Sequence, residues 1–245
     1  MNVTGLFNGA RLLKFVDFPV AEVLGPEASD HDIRELIARC GEVFVKPIFK
    51  GGVGKKGKSG LLGRAKDLAS AMKEKERLYF AEHTHNNVKA KAEGVTFEGA
   101  VPAEFEIYFS ITDSTQFRAP TITITHHGGM DIEELPADKI ARIPFDPLTG
   151  LKGFVISNAL KSINAPAELI SPLVQHLPKL WDLFHNYGMT TLELNPIRMK
   201  SDGKGRLTPI ACDFKCSFEA TIPTSVASVC RTISTPPAIR TSSRK

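Results

Sequence analysis

Glu193, Asn195 and Asp213 are the residues of this 245-residue chain whose types and spacing best suit metal chemistry. The segments Leu192-Glu193-Leu194-Asn195-Pro196 and Ala211-Cys212-Asp213 flank Ser201-Asp202-Gly203-Lys204-Gly205, a turn sequence. Asn195 and Asp213 are equidistant from residue 204, so an antiparallel hairpin closed by that turn sets them opposite each other across the ladder. Glu193 shares the face of Asn195, because side chains alternate along a strand. Two carboxylates and an amide oxygen then converge. That hard-oxygen set suits Mg²⁺, which keeps waters and takes its other ligands from phosphates. Ordinary polar residues on a solvent-facing strand fit the same pattern, and the hairpin alone leaves both readings open.

A second cluster points to phosphate. Residues 50–60 hold five glycines and four lysines, a composition that excludes regular structure of any length. Gly52 to Ser59 also matches the G-x-x-x-x-G-K-[ST] phosphate loop letter for letter. That loop requires a helix to start at once, and Gly60 and Gly63 stand where its first turn would be, each costing about 1 kcal/mol against Ala. A β-hairpin flap fits better: glycines let backbone N–H groups approach phosphate oxygens, and lysines supply charge. Lys46 precedes the loop in a strand where it shares a face with Phe44 and Ile48. A lysine on such a face needs an anionic partner, and a nucleotide phosphate is one candidate. The alternatives are a solvated edge lysine and a flexible linker; the absence of aromatics among the loop lysines weakens a single-strand nucleic-acid reading.

These groups need elements to hold them. Periodicity predicts helices over 10–16, 33–39, 64–78 and 153–163, and one long helix over 166–187 bent at Pro172 and Pro178. Strands are predicted over 42–48, 61–63, 95–101, 104–112, 117–126, 190–199 and 206–214. The order implies an α+β body whose antiparallel sheets pack against helices.

Composition bounds the rest. Of 31 basic groups, four lie in residues 220–245 with none of the 27 acidic ones, so the first 219 residues carry 27 of each. A balanced body excludes a general nucleic-acid coat, and no nucleic-acid partner is expected. No apolar run reaches the roughly 18 residues of a membrane span, and the opening residues lack a secretory pattern. Four cysteines make neither a disulfide framework nor a zinc site, since Cys212 and Cys216 have no second pair. A soluble protein of a reducing, cytoplasmic compartment is expected. Residues 220–245, with ten Ser or Thr and three Pro, are expected to be a disordered or artefactual tail.

Four segments in order resemble one family: Phe44-Val45-Lys46-Pro47, Gly57-Lys58-Ser59-Gly60-Leu61-Leu62-Gly63, His126-His127-Gly128-Gly129-Met130-Asp131-Ile132-Glu133 and Leu192-Glu193-Leu194-Asn195-Pro196. They resemble the ATP-grasp domain of the succinyl-CoA synthetase β-subunit type, nearest its ATP-citrate lyase branch. The Lys-Gly-Lys form of the loop and the paired histidines favour that branch. The resemblance implies an ATP-grasp fold over 1–219, with a smaller lobe over about 10–100 carrying the flap and the remainder carrying the metal hairpin. It implies ATP and Mg²⁺ as cofactors. Lys46 would touch the ATP phosphate or adenine edge, and Lys56 and Gly57 would belong to the flap. Glu98, Ala100 and Pro102 would border adenine and ribose, and Glu104 would hydrogen-bond the ribose. Asn195 and Asp213, with Glu193 beside them, would hold Mg²⁺. No catalytic residue is assigned to this chain itself. In such enzymes ATP phosphorylates a histidine of an α-type partner subunit, and citrate and coenzyme A react in the assembled complex. His126 and His127 are expected to be structural. Past Phe218 the sequence departs from the family pattern, where the family's acid and coenzyme A contacts would come. The alternatives are an acyl-CoA synthetase β-subunit that forms succinyl-CoA or citryl-CoA without cleavage, a phosphate-loop binding module, and a noncatalytic assembly subunit.

Overall fold

In the computed structural model the described residues are 2–49, 60–85, 88–129 and 132–218. The chain opens with strand β1 (Asn2–Thr4) and helix α1 (Leu6–Lys14), then β2 (Val23–Leu24) and α2 (Asp30–Cys40). Ser29 caps α2 in a reciprocal box with Asp32, and Gly41, at φ 76°, ends it. Strand β3 (Val43–Phe49) and β4 (Gly63–Ala65) bracket the Gly/Lys loop, and α3 (Leu68–Tyr79), β5 (Glu82–His85) and β6 (Val88–Gly99) come after them. Next come β7 (Glu106–Ser114), β8 (Ala119–Thr125) and β9 (Ala141–Pro144), then α4 (Gly153–Ser162), α5 (Ala167–His176) and α6 (Lys179–Asn186). Strands β10 (Met189–Ser201), β11 (Leu207–Ala211) and β12 (Lys215–Phe218) close the described chain.

Among the described residues the strands form two sheets. The seven-stranded one runs β1-β12-β10-β7-β8-β9, with β11 also on β10; the five-stranded one runs β2-β6-β3-β4, with β5 on β6. Every ladder between named strands is antiparallel. Each sheet buries one face against helices. In the larger body, Leu192 and Leu194 of β10 and Ile107, Phe109 and Ile111 of β7 pack with α1, α4, α5 and α6. In the smaller, Val43, Val45 and Phe97 pack with Ile33 and Leu36 of α2 and Ala71 and Leu78 of α3. Leu12, Leu13, Phe18 and Ala21 belong to the larger core, and the smaller core begins at Ile33.

The structure departs from the sequence expectations at two helices. The helix expected over 64–78 starts at Leu68, because Gly63–Ala65 is drawn into the ladder with Val43 to Val45. Asp67 takes extended geometry and accepts the Ser70 N–H, which sets the start. The long helix expected over 166–187 is two helices. Pro172 is tolerated inside α5, whereas Pro178 stands at the start of α6, where a missing N–H costs nothing. The short strands β1, β2, β5, β9 and β12 lie outside the sequence expectations.

Candidate functional site

The β10–β11 hairpin is centred on residue 204, from Ile197 opposite Ala211 to Ser201 opposite Leu207, and Cys212 N–H extends it by donating to Pro196 O at 3.0 Å. The same register resumes on β12, with Glu193 opposite Lys215 and Leu192 opposite Cys216. Strands β11 and β12 are thus one partner of β10, interrupted at residues 212–214. That interruption faces a second irregularity, a register shift in the β10–β7 ladder between Leu194 and Ile197. Asn195 and Asp213 both sit where the ladder is broken, so their side chains are not committed to regular pairing. The Asn195–Pro196 peptide is cis.

Glu193 lies on the polar face of β10, flanked by Ser110 of β7 and Lys215 of β12. Burial pushes its carboxyl pKa up; Lys215 counteracts this, and the Asp213 carboxylate adds to it. Asp213 Oδ1 accepts the Phe214 N–H at 2.8 Å, and Asn195 Oδ1 accepts the Gly129 N–H at 2.8 Å. The donors here are all oxygens, and the Asp213 carboxylate disfavours the charge on Glu193, so the chemistry of the set fits a hard divalent cation. Among the described residues, no group of three His, Cys, Asp or Glu side chains could hold a metal alone. A cation here would rely on the amide of Asn195 and on oxygens brought by its ligand.

Lys46 reaches this hairpin from the smaller sheet. Lys46 lies opposite Thr96, and Glu98 shares the face of Thr96 on the neighbouring strand. The Lys46 ammonium is 2.6 Å from Glu98 Oε2 and donates to the Cys212 carbonyl at 3.3 Å. Thr96 Oγ1 donates to Glu98 Oε1 at 3.3 Å. Burial works against the Lys46 charge, but the carboxylates of Glu98 and Asp213 outweigh it, and the pKa moves up. A fixed cation therefore stands beside the oxygen cluster, across the space between the sheets. Burial lifts the neighbouring Cys212 thiol to about 12, so it stays protonated.

The other residues singled out in the sequence lie along the connection between the sheets, in the Gly/Lys loop and at the end of β8. Ala100 N–H donates to Glu42 O at 2.9 Å, and residues 100–105 form the connection between the sheets. Pro102 and Glu104 are exposed on that connection. Lys56 and Gly57 lie outside the described residues, as does the body of the Gly/Lys loop. The chain after that loop enters β4, and α3 begins only at Leu68, so a phosphate loop's immediate helix is absent. His126 and His127 directly follow β8 with rings 4.2 Å apart, and His126 Nδ1 is buried without a hydrogen-bond partner. Burial, then His127 and Lys139, lower the His126 pKa.

Arg198 escaped the sequence reading. Its guanidinium donates to Val101 O at 3.0 Å and to Glu106 Oε1, and lies 6.0 Å from the centre of the Phe44 ring. It joins the β10–β11 hairpin, the inter-sheet connection and the strand of Lys46. Its position three residues beyond Asn195, past the irregularity, was the available signal.

Residues 10–199 match the ATP-grasp_2 family, an ATP-grasp domain. The β subunit of succinate–CoA ligase (ADP-forming) from Desulfatibacillum aliphaticivorans is 29% identical over 175 residues, covering 70% of this chain and 44% of that one. The corresponding subunit of Nitratiruptor sp. is 27% identical over 212 residues, covering 83% and 52%. Among solved structures, ATP citrate lyase from Methanothrix soehngenii in complex with citrate and coenzyme A superposes with TM-score 0.66 at 16% identity, over 95% of this chain and 54% of that one. A dinucleotide-forming acetyl-coenzyme A synthetase from Ca. Korarchaeum cryptofilum, in complex with coenzyme A and Ca-AMPCP, superposes with TM-score 0.67 at 15% identity, over 89% and 93%. The chain spans about half or less of the length of these curated relatives.

Proposed function

The chain belongs to the ATP-grasp_2 family, and on that membership we propose that it is the nucleotide-binding part of an enzyme that joins an organic acid to coenzyme A. It uses ATP with Mg²⁺. The two bodies act as lobes clasping the nucleotide, the smaller carrying the flap with Lys56 and Gly57 and the larger carrying the metal hairpin. The carrying observation is Lys46: a charged ammonium on the smaller sheet, held by Glu98, that reaches the Cys212 carbonyl beside Asp213. Lys46 binds phosphate there, exchanging one carboxylate partner for the nucleotide's own anion. Glu98, Ala100, Pro102 and Glu104 border adenine and ribose along the inter-sheet connection. Asn195 and Asp213, with Glu193 beside them, hold Mg²⁺, which neutralises phosphate charge when bound.

We further propose that the γ-phosphoryl group passes to a histidine on an α-type partner subunit, with ADP leaving. The complex then forms citryl-CoA from citrate and coenzyme A and cleaves it to acetyl-CoA and oxaloacetate, as an ATP-citrate lyase does. The paired histidines before Gly128-Gly129 and the Lys-Gly-Lys loop support that reading. A second reading, a succinate–CoA ligase β subunit, is favoured by the curated relatives named above. The test mixes the chain with its natural partner and γ-labelled ATP, with citrate and succinate compared. Label on the partner and acetyl-CoA from citrate alone support the lyase; succinyl-CoA supports the second reading. Stable label on His126 or His127 refutes the division of labour. Asp213→Asn is expected to abolish Mg²⁺-dependent transfer while metal-free nucleotide binding survives, and full turnover in that variant removes Asp213 from the site.

A further inference from the structure

The Gly128-Gly129 pair stands directly after the two histidines, and neither the phosphate-binding nor the metal-binding reading uses it. Its backbone is pressed against β7. Gly128 N–H donates to Glu106 O at 2.7 Å, and a Cβ on Gly128 would stand 2.6 Å from the Ile107 carbonyl carbon. Gly129 has φ +75°, and a Cβ there would collide with Glu106 Oε2. Glu106 is itself held by Arg198, 2.5 Å away. This packing aims the Gly129 N–H at Asn195 Oδ1, 2.8 Å distant.

A carboxamide presents an oxygen on one side and an NH₂ group on the other, and only the oxygen can ligate a cation. A fixed N–H donor at one side rejects the NH₂ and accepts the oxygen. The oxygen has two lone pairs, so accepting this hydrogen bond does not exclude ligation. We infer that Gly129 is a positioning residue whose backbone N–H locks the orientation of Asn195, so that the metal hairpin offers an oxygen and not an amide NH₂. This rests on the metal-binding reading of Asn195 proposed above. Gly128 is then required by close backbone approach and Gly129 by its positive φ, so a larger side chain at either moves the donor.

The test compares calorimetric affinities for Mg-ATP and for metal-free ATP, and their ratio is the readout. Gly129→Ala shifts the donor. An amide-to-ester replacement at Gly129 deletes it without adding a side chain, which covers the case in which the alanine variant does not fold. Either change is expected to lower the ratio by about 10- to 100-fold, the usual cost of removing an outer partner of a ligand, with metal-free affinity retained. Asn195→Asp is expected to restore the ratio in the Gly129→Ala chain, because both carboxylate oxygens can ligate and no orientation need be locked. An unchanged ratio in folded Gly129 variants, or an equal fall of both affinities, overturns the positioning role, as does failure of Asn195→Asp to rescue. Asn195→Ala leaving the ratio unchanged overturns the metal reading itself, and the positioning role with it. An Asn195→Ala effect without a Gly129 effect overturns the positioning role alone.

Discussion

Lys46 is 18% exposed and Glu98 5%, so each depends on the other for its charge. Removing one partner deprives the other of its nearest counter-charge. Lys46→Met is expected to destabilise the chain by about 3–5 kcal/mol, and Glu98→Gln in the same chain to recover most of that loss. Urea denaturation of the single and double variants measures the coupling; equal stability of the two would show that Glu98 does not need Lys46. ATP affinity should fall in both by about 1.5–3 kcal/mol, the worth of a hydrogen bond to a charged group. The pH dependence has a definite sign. Burial lowers the Lys46 pKa, Glu98 and Asp213 raise it further than burial lowers it, and the folded value lies above the ordinary 10.5. The stabilisation is therefore complete below about pH 10.5 and is lost as pH rises through the folded value. His126 has the opposite sign. Burial, with His127 and Lys139, holds its pKa below 6.5, so the neutral ring is favoured in the folded chain. Stability should decline as pH drops below 6.5, and less so in His126→Phe. Melting at pH 5.5 and 7.5, with the imidazole titration monitored by NMR, checks it; a midpoint above 6.5 rejects the assignment.

At the scale of elements, the meaning of the Gly/Lys loop depends on the element into which it leads. The β3–β4 ladder, Val43 opposite Ala65 through Val45 opposite Gly63, shows that the chain after the loop enters a strand antiparallel to β3. A phosphate loop instead needs its last lysine at a helix N-terminus, and α3 starts well beyond it with its own cap at Asp67. Lys46→Ala should therefore weaken ATP binding more than Lys58→Ala does, as read by calorimetry. The reverse order would restore the phosphate-loop reading. The β10 strand has a comparable dependence: its regular parts anchor it to β7, β11 and β12, and one of its two irregular stretches carries Asn195. A regular ladder there would commit the backbone and leave less freedom to aim the carboxamide.

At the scale of the molecule, the two cores are separate; Lys46 of the smaller sheet reaches the Cys212 carbonyl, and Arg198 of the larger sheet reaches the Phe44 ring. No helix among the described residues is long and apolar enough to cross a membrane. Residues 220–245 hold ten Ser or Thr and three Pro, a composition poor in core-forming side chains, so their deletion should leave the melting temperature nearly unchanged. A large drop in calorimetric melting would show that they pack on the folded body.

Part of the local geometry around the candidate site was legible because spacing dictates it. The turn at Asp202 to Gly205 sets the centre of a hairpin, which is why the ladder from Ile197 opposite Ala211 to Ser201 opposite Leu207 has the expected centre at residue 204, although regular pairing stops before Asn195 and Asp213. Alternation along β3 likewise put Lys46 on the face away from Val43 and Val45. What spacing could not supply is which face meets which. Glu98 as the partner of Lys46 lies 52 residues away in the chain, and the Cys212 carbonyl 166. The strands β1, β9 and β12 are too short to announce themselves and exist because a neighbouring strand offers a ladder. The glycines at 128 and 129 read as a motif in the sequence; only packing against Glu106 and Ile107 shows why nothing larger fits. Local chemistry determined which groups could act, and long-range burial decided which of them stand together, because a charge or an N–H acquires its partner only when distant segments exclude water around it.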